Sequence, residues 1–390
     1  MINLTDFCEK MATPFSVQWS KLPFPHEISG HVAVTWKDTV IVWGGNIPHN
    51  VVVQCVAAGE WVTGETSGEV PDESQLGGKP HVVNDKMFLL RRGDIARNVI
   101  HALDLNTLVW EALVPRNTLS IVSDGFTSWL HGGKIYVFGG GCSNQGCIGM
   151  GGGCGGASNL LYCYNSMNNT WEWPLHGGEV PSPREDMDTI IVDDTVYLFG
   201  GNRYFQIEDM KYNDLYILDM RSMLWKRVHG NCYQGEAPHV KLSPDHTLTM
   251  ISKSAGVLYG ALVDYFNDEY SPECWLLNLD NVRQLKDPAS IWTRIPTPFP
   301  REVHASVLEP VSQSLWVIGG EDNSSHASDG FISDVLKMSC NVVPLKTLAM
   351  DHIARNISTN DPRLSYENYP IELGNEIEEH RSSIEEFAEP

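Results

Sequence analysis

The sequence lacks any apolar run near the ~18 residues that a membrane span needs, and its start, MINLTDFCEKMATPF, has no continuous apolar stretch. Neither a membrane-embedded nor a signal-led secreted protein is expected. Positive charge is scarce: 27 Lys and Arg stand against 49 Asp and Glu, for a formal charge of −22. That balance opposes non-specific attraction to nucleic acid or anionic lipid, so neither is expected as a partner. The nine cysteines are odd in number and scattered over 390 residues, which does not suit a disulfide framework and points to reduced thiols in the cytoplasm and/or nucleus. Catalytic signatures are missing as well: the chain holds no P-loop, dinucleotide fingerprint, HExxH or GxSxG. The expectation is a non-catalytic protein with no cofactor and no metal site.

What is present is repetition. An alternating apolar run ending in Gly-Gly, a variable stretch, a second alternating run and a Trp recur six times. The clear copies end at Gly44–Gly45, Gly139–Gly140, Gly200–Gly201 and Gly319–Gly320. Two copies have lost the pair, KMFLLRRG at Gly93 and HTLTMISKS at Ser254, and their modules are expected to be the most distorted. Runs such as KIYVFGG and TVYLFGG are short, β-branched and aromatic, and bounded by Gly or Asp, which marks strands rather than helices. The glycines suit positions of positive φ or close backbone approach, here placed where innermost strands crowd near an axis. A third strand follows as VIHALDL, LLYCYN, DLYILDM or WLLNLD, and then an outer strand with Trp61, Trp110, Trp171, Trp225 or Trp292. Five closing tryptophans serve six modules, so Trp19 is assigned as the missing one, pairing with the module near residues 302 to 340. Such closure removes exposed sheet edges. The fold class is all-β: a six-bladed β-propeller closed by an N-terminal strand and followed by a short α-helical C-terminal tail.

Chemistry-bearing groups are few. Cys142, Cys147 and Cys154 lie in a glycine-rich stretch at a spacing that matches no ligand pattern, and it reads as a loop. His26, His31, His239 and His304 stand at similar places in their modules, where a structural bond between blades outranks a metal site. The loop after Gly201, NRYFQIEDMKYND, offers Arg203 and Lys211 with Tyr204 and Phe205 between them. A guanidinium there suits a carboxylate by a charge-assisted fork. The alternative, pairing of the two cations with Glu208 and Asp209 in the same loop, stays open.

After Pro344, PLKTLAMDHIARNI places Leu345, Leu348, Ala349, His352 and Ile353 on one helical stripe, and the chain ends in an acidic run. The repeated Gly-Gly and Trp resemble the kelch superfamily over roughly residues 14 to 340. Pro344-Leu345-x-x-x-Ala349-x-x-x-Ile353 resembles an elongin-binding BC box, and Tyr369-Pro370-Ile371-Glu372-Leu373 resembles a cullin-2 box. A kelch propeller followed by both boxes is similar to the group around kelch domain-containing protein 2, substrate receptors of elongin and cullin-2 ubiquitin ligases. The resemblance implies a six-bladed kelch propeller that grips a substrate peptide by its C-terminus through Arg203, Lys211 and Tyr204. It implies elongin B/C binding through Leu345, Ala349 and Ile353, and cullin-2 binding through Tyr369, Pro370 and Leu373. The corresponding division is a leader at 1–13, the propeller at 14–340, the helical tail at 341–378 and an acidic disordered end at 379–390. The family places two arginines in this loop ahead of an Asn-Asp pair; here Arg203 and Lys211 precede Asn213 and Asp214. Where the family sets aromatics just past the Gly-Gly pairs, Asn46 and Ser143 stand, and Ala237–Pro238 replaces a Ser-Trp pair. Architecture and ligase attachment are therefore carried further than C-terminal glycine recognition.

Overall fold

The computed structural model describes residues 15–342, apart from 49, 58–59, 73–78, 92–94, 96–97, 120–124, 142–156, 204–209, 231–245, 265–268, 298 and 323–329. The sequence modules fold as separate antiparallel sheets. Blade 1 holds His31–Trp36, Thr39–Gly44, Val51–Ala57 and Glu60–Glu65; blade 2 holds Lys79–Val83, Lys86–Leu90, Ile100–Asp104 and Val109–Leu113. Blade 3 takes Thr127–His131, Lys134–Phe138, Leu161–Asn165 and Thr170–Glu172, and blade 4 takes Asp188–Val192, Thr195–Phe199, Leu215–Asp219 and Leu224–His229. In blade 5 the strands are Thr247–Ser252, Ala255–Asp264, Glu269–Asn278 and Trp292–Arg294. Blade 6 has three strands from the end of the propeller, Ala305–Glu309, Ser314–Ile318 and Ile332–Val342, and its fourth is the N-terminal Phe15–Ile28. By internal contacts Trp19–Met338 form one unit. A second gathers residues 1–18 and 339–390, of which 15–18 and 339–342 are described.

The first strand of each blade neighbours the first strand of the next, and that of blade 6 neighbours that of blade 1, so these six strands are the innermost. The Gly-Gly strand is thus second from the axis, one strand further out than expected from sequence. Inner-strand hydroxyls and imidazoles bond between blades: His81 Nε2 with Ser128 Oγ at 2.8 Å, Thr127 Oγ1 with Thr189 Oγ1 at 2.7 Å, and Thr249 Oγ1 with Ser306 Oγ at 2.5 Å. Asp188 accepts from the Leu248 amide at 2.8 Å, and Gly30 N donates to Val303 O at 3.1 Å across the closure. Second strands are apolar on both faces because each is sandwiched between two blades; Ser314–Ile318 is buried at every position.

The outer-strand tryptophans account for the packing between blades. Each sits against the residue just before the Gly-Gly position of the preceding blade. Trp110 lies 5.1 Å from Trp43, Trp225 4.9 Å from Phe138, and Trp292 4.8 Å from Phe199. Trp171 shares a core cluster with Leu90, and Trp61 packs on the cluster containing Ile318. Trp19 completes the series, 5.8 Å from Tyr259 of blade 5, with its indole N–H donating to Pro296 O at 3.0 Å. Each tilted or edge-on ring pair contributes roughly 0.5–1.5 kcal/mol beyond its buried area. The assignment of Trp19 as the closing tryptophan therefore agrees with the structure.

Two sequence assignments need correction. In blade 2 the strand stops at Leu90, so Arg91, and not Gly93, follows it at the place of the first glycine. In blade 5, HTLTMISKS covers the inner strand, and the second strand is Ala255–Asp264, whose Tyr259 pairs with Thr247 as Phe199 pairs with Asp188. Gly260–Ala261 then hold the Gly-Gly place, a pair hidden because the second position is Ala. Nor is distortion confined to these blades: register shifts occur in blades 1, 4 and 5, while blade 2 is regular. Blade 5 also inserts two short helices, Leu279–Arg283 and Pro288–Ile291, each started by a carboxylate or carboxamide cap, Asn278 and Asp287.

The outer edges of blades 2 and 4 are covered by a motif that the sequence repeats, Gly-Glu-Val-Pro at 68–71 and 178–181. Ser67–Gly68 pair in parallel with Val109–Trp110, and Gly177–Gly178 with Leu224–Trp225. Glu69 and Glu179 then accept the next outward amides, Ala112 N at 2.9 Å and Arg227 N at 3.0 Å. A Cβ on Gly178, at φ +79°, would meet Trp225 O at 2.4 Å, so the close approach requires glycine. In blade 3 a side chain does the same work: Asn117 donates to Trp171 O and accepts from Trp171 N, both at 2.8 Å.

Candidate functional site: the hairpin of blade 4

Connections after the second strands and connections between blades emerge at the same end of the propeller, and this end carries the hairpin of the Arg203 loop. The second strand of blade 4 ends at Phe199, and Gly200 and Gly201, at φ +71° and +94°, turn the chain out. Asn202–Arg203 then pair antiparallel with Met210–Lys211 in a two-stranded ribbon. Asn202 also exchanges both backbone bonds with Glu185, each at 2.8 Å, and its side chain donates to Asp186 at 3.0 Å. The segment that precedes blade 4 thus forms a third edge beside the ribbon.

Below the ribbon lies a buried charge pair that sequence reading did not single out. Arg184 Nη1 donates to Gly200 O at 2.8 Å and to Asp214 Oδ1 at 2.6 Å, and Nη2 reaches Asp214 Oδ2 at 3.2 Å. The two side chains are 0% and 3% exposed. Their mutual fork and the added bonds from Arg184 to Ser182 satisfy charges that would otherwise be costly to bury. The guanidinium face carries Tyr212 at 4.1 Å, and Gly200 N donates to Asp214 O at 3.2 Å. Both ends of the loop therefore meet at one arginine. The same device recurs in blade 6, where Arg301 donates to Gly319 O at 3.0 Å and pairs with the Asp334 carboxylate. The shared string Pro-x-Pro-Arg-Glu at 181–185 and 298–302 was the signal that could have revealed it.

Arg203 and Lys211 are brought to adjacent positions of the ribbon, each half-buried. Their register separates their directions, because Arg203 faces Met210 while Lys211 faces Asn202, and adjacent strand positions point to opposite faces. Tyr204, Phe205, Glu208 and Asp209 lie outside the described residues, as do Ser143, Ala237–Pro238, the three cysteines of the glycine-rich stretch and all six tail positions, Leu345, Ala349, Ile353, Tyr369, Pro370 and Leu373.

Of the four histidines singled out from sequence, His31 and His304 occupy equivalent places at the head of the inner strand, His31 pairing with Gly44 and His304 directly preceding Ala305, the partner of Ile318. His246 stands at a third equivalent place, directly before Thr247; His239 lies outside the described residues, and His26 belongs to the closing strand. His304 Nε2 bonds Thr247 Oγ1 at 2.9 Å. Burial holds His31 and His304 neutral, lowering each to about 3, with Arg301 and the neighbouring His31 and His246 adding to the effect on His304. The three imidazoles form an arc over blades 5, 6 and 1. Elsewhere, burial pushes the Cys163 thiol up to about 12, which makes it a poor nucleophile.

The family model for the KLHDC2/KLHL20/DRC7 Kelch-repeats domain matches residues 30–260, more than half of the chain. The chain belongs to this kelch-repeat family. Kelch domain-containing protein 1 of Homo sapiens is 24% identical over 374 residues, covering 85% of this chain and 84% of that protein. Kelch domain-containing protein 3 of Rattus norvegicus is 24% identical over 239 residues, 55% of this chain, and the chain covers 60% of that protein, less than two thirds of its length. Host cell factor homolog hcf-1 of Caenorhabditis elegans is 30% identical over 211 residues, half of this chain and 24% of that protein. Among solved structures, the "Structure of YjhT" superposes with a TM-score of 0.59 over 82% of this chain and 99% of that one, at 12% identity, a likeness of fold. The protein is a kelch-repeat propeller.

Proposed function

We propose that this propeller is the substrate-recognition subunit of a cullin-2 type ubiquitin ligase and does no chemistry of its own. The hairpin end binds a substrate peptide by its C-terminal carboxylate, with Arg203 as the fork and Lys211 adding positive potential. Tyr204 flanks them in sequence. The observation that carries this reading is the hairpin: two cations on adjacent positions of a ribbon rooted in a buried arginine fork, in a chain of net charge −22. A local cationic feature on an acidic protein is suited to pick one anionic group while repelling acidic partners at large.

The tail supplies the ligase connection. Leu345, Ala349 and Ile353 dock elongin B/C, and Tyr369, Pro370 and Leu373 contact cullin-2; the order of the two boxes after a propeller of this family supports that reading. The complex works in the cytoplasm and/or nucleus. Co-expression with elongin B/C and cullin-2 tests it: the full chain is expected to co-elute with them and Leu345→Ala to lose them. Absence of co-elution would leave a kelch scaffold without a ligase. On the propeller side, Arg203→Ala is expected to weaken a free-acid peptide ~10-fold or more, the worth of one charge-assisted bond, and amidation of the peptide to do the same. Equal binding of acid and amide by the wild type refutes the carboxylate reading.

A further inference from the structure

We propose that Arg184 is the positioning residue of this peptide site, fixing the hairpin so that Arg203 is presented in one orientation. The inference rests on the reading that the hairpin takes the carboxylate. Arg184 itself is fully buried and does not reach the peptide. It acts through what it holds. The loop from Gly200 to Asp214 leaves and re-enters blade 4 at two points, and both are bonded to Nη1 of Arg184. Tyr212, directly after Lys211, lies flat enough against the guanidinium to sit 4.1 Å from its centre, and its amide donates to Gly201 O at 2.9 Å. On the other side the two residues that follow Arg184 continue the grip, Glu185 pairing with the Asn202 backbone and Asp186 accepting from the Asn202 side chain. One short segment, 184–186, therefore holds the root and the first rung of the ribbon. Because Arg203 and Lys211 point to opposite faces, only Arg203 meets a ligand lying on its own face, and a rotation of the ribbon about its root turns the guanidinium away from that ligand. A fork that is planar and doubly bonded resists that rotation, whereas a lysine ammonium, a single point charge on a flexible stem, does not.

Blade 6 provides a matched control within the same molecule. Arg301 holds Gly319 O and Asp334 as Arg184 holds Gly200 O and Asp214, and Glu302 pairs with the Glu321 backbone as Glu185 pairs with Asn202. The residues above that clamp are Glu321 and Asp322, in the places of Asn202 and Arg203. A clamp that only stabilises the propeller would give the same phenotype when weakened in either blade.

The test compares Arg184→Lys with Arg301→Lys in the full chain, using a decapeptide that ends in Gly-Gly with a free carboxylate, and its amide. Calorimetric affinity, the unfolding midpoint and hydrogen exchange of the Tyr212 amide are measured. Arg184→Lys is expected to weaken the acid ~10-fold, leave the amide unchanged and speed exchange at Tyr212, by loss of one fork geometry. Arg301→Lys is expected to lower the midpoint by a similar amount with acid affinity intact. Wild-type affinity in Arg184→Lys, or equal weakening by both variants, overturns the proposal. If Arg184→Lys does not fold, Asp214→Asn takes its place with the same outcomes, since it removes the opposite half of the fork. Should the wild type fail to distinguish acid from amide and Arg203→Ala be silent, the carboxylate reading falls and the positioning role for the peptide falls with it. Unchanged Tyr212 exchange in Arg184→Lys, by contrast, removes the clamp even where the carboxylate reading stands.

Discussion

Acid is expected to loosen this propeller through two histidines. His31 and His304 are both lowered from 6.5 to about 3, chiefly because burial penalises the imidazolium. The folded state therefore binds neither proton in the range where the unfolded chain binds both. Stability then rises with pH, and it falls as pH drops below 6.5 until the folded groups protonate near 3. At pH 5 each histidine has lost 1.5 units of the interval, which at 1.36 kcal/mol per unit is about 2 kcal/mol, or about 4 kcal/mol for the pair. That is a large part of the roughly 5–15 kcal/mol that holds a folded domain. Hydrogen-bonded carboxylates such as Glu172 and Asp219 are held below their ordinary values, so their contribution is lost only as pH falls below about 4.5 and 3.8. The window from pH 7.5 to 5 thus isolates the histidines. Urea unfolding followed by tryptophan fluorescence across that window should show His304→Gln, which keeps an acceptor for Thr247, with a pH slope reduced by about half of the share that His31 and His304 make together, while His176 and His229, also lowered by burial, keep theirs. His31→Leu should do likewise. The reasoning is refuted if either variant keeps the wild-type slope, whatever its absolute stability.

Two further outcomes follow from the packing. Trp19→Ala removes the stack on Tyr259 and the bond to Pro296 O, and is expected to cost ~2 kcal/mol by urea unfolding, below the 3–5 kcal/mol of a fully buried ring. Trp292→Ala, which empties a site only 3% exposed, should fall in that higher range, and a silent Trp19→Ala would contradict its role as the closing residue. Asn117→Ala leaves both outward backbone groups of Trp171 without their side-chain partner and should cost about 1–3 kcal/mol, while Gln at 117 should fail to restore it because the extra methylene displaces the paired amide.

Much of the candidate site was legible as residues and little of it as geometry. The loop after Gly201 stood out because it sets two cations, Arg203 and Lys211, with two aromatics between them in so acidic a chain. Its register did not, since a two-residue ribbon carries no apolar alternation from which to read which side chains share a face. Arg184 stood in a string repeated at 298–302, but its role was not legible, for a different reason. Its partner Asp214 lies 30 positions away, and nothing local marks that carboxylate as the end of a fork. His246 was missed because the stretch after it was read as a strand of the Gly-Gly type, and only the pairing of Thr247 with Tyr259 shows that it heads an inner strand as His304 does.

By itself the sequence determined the number of blades and the identity of the six outer tryptophans. These are short-range matters: a run of β-branched and aromatic residues between turn residues specifies its own strand whatever lies beside it. Tertiary structure alone decided that Gly-Gly lies second from the axis, that Arg91 and Gly260–Ala261 occupy that place in two blades, and that each tryptophan packs on the blade before its own. Those facts depend on which sheet faces which, and each is settled by contacts between groups far apart in the chain. The closing strand joins both cases: Trp19 was recognisable from its pattern, but its partners Tyr259 and Pro296 exist only once the ring has brought the first strand beside the last.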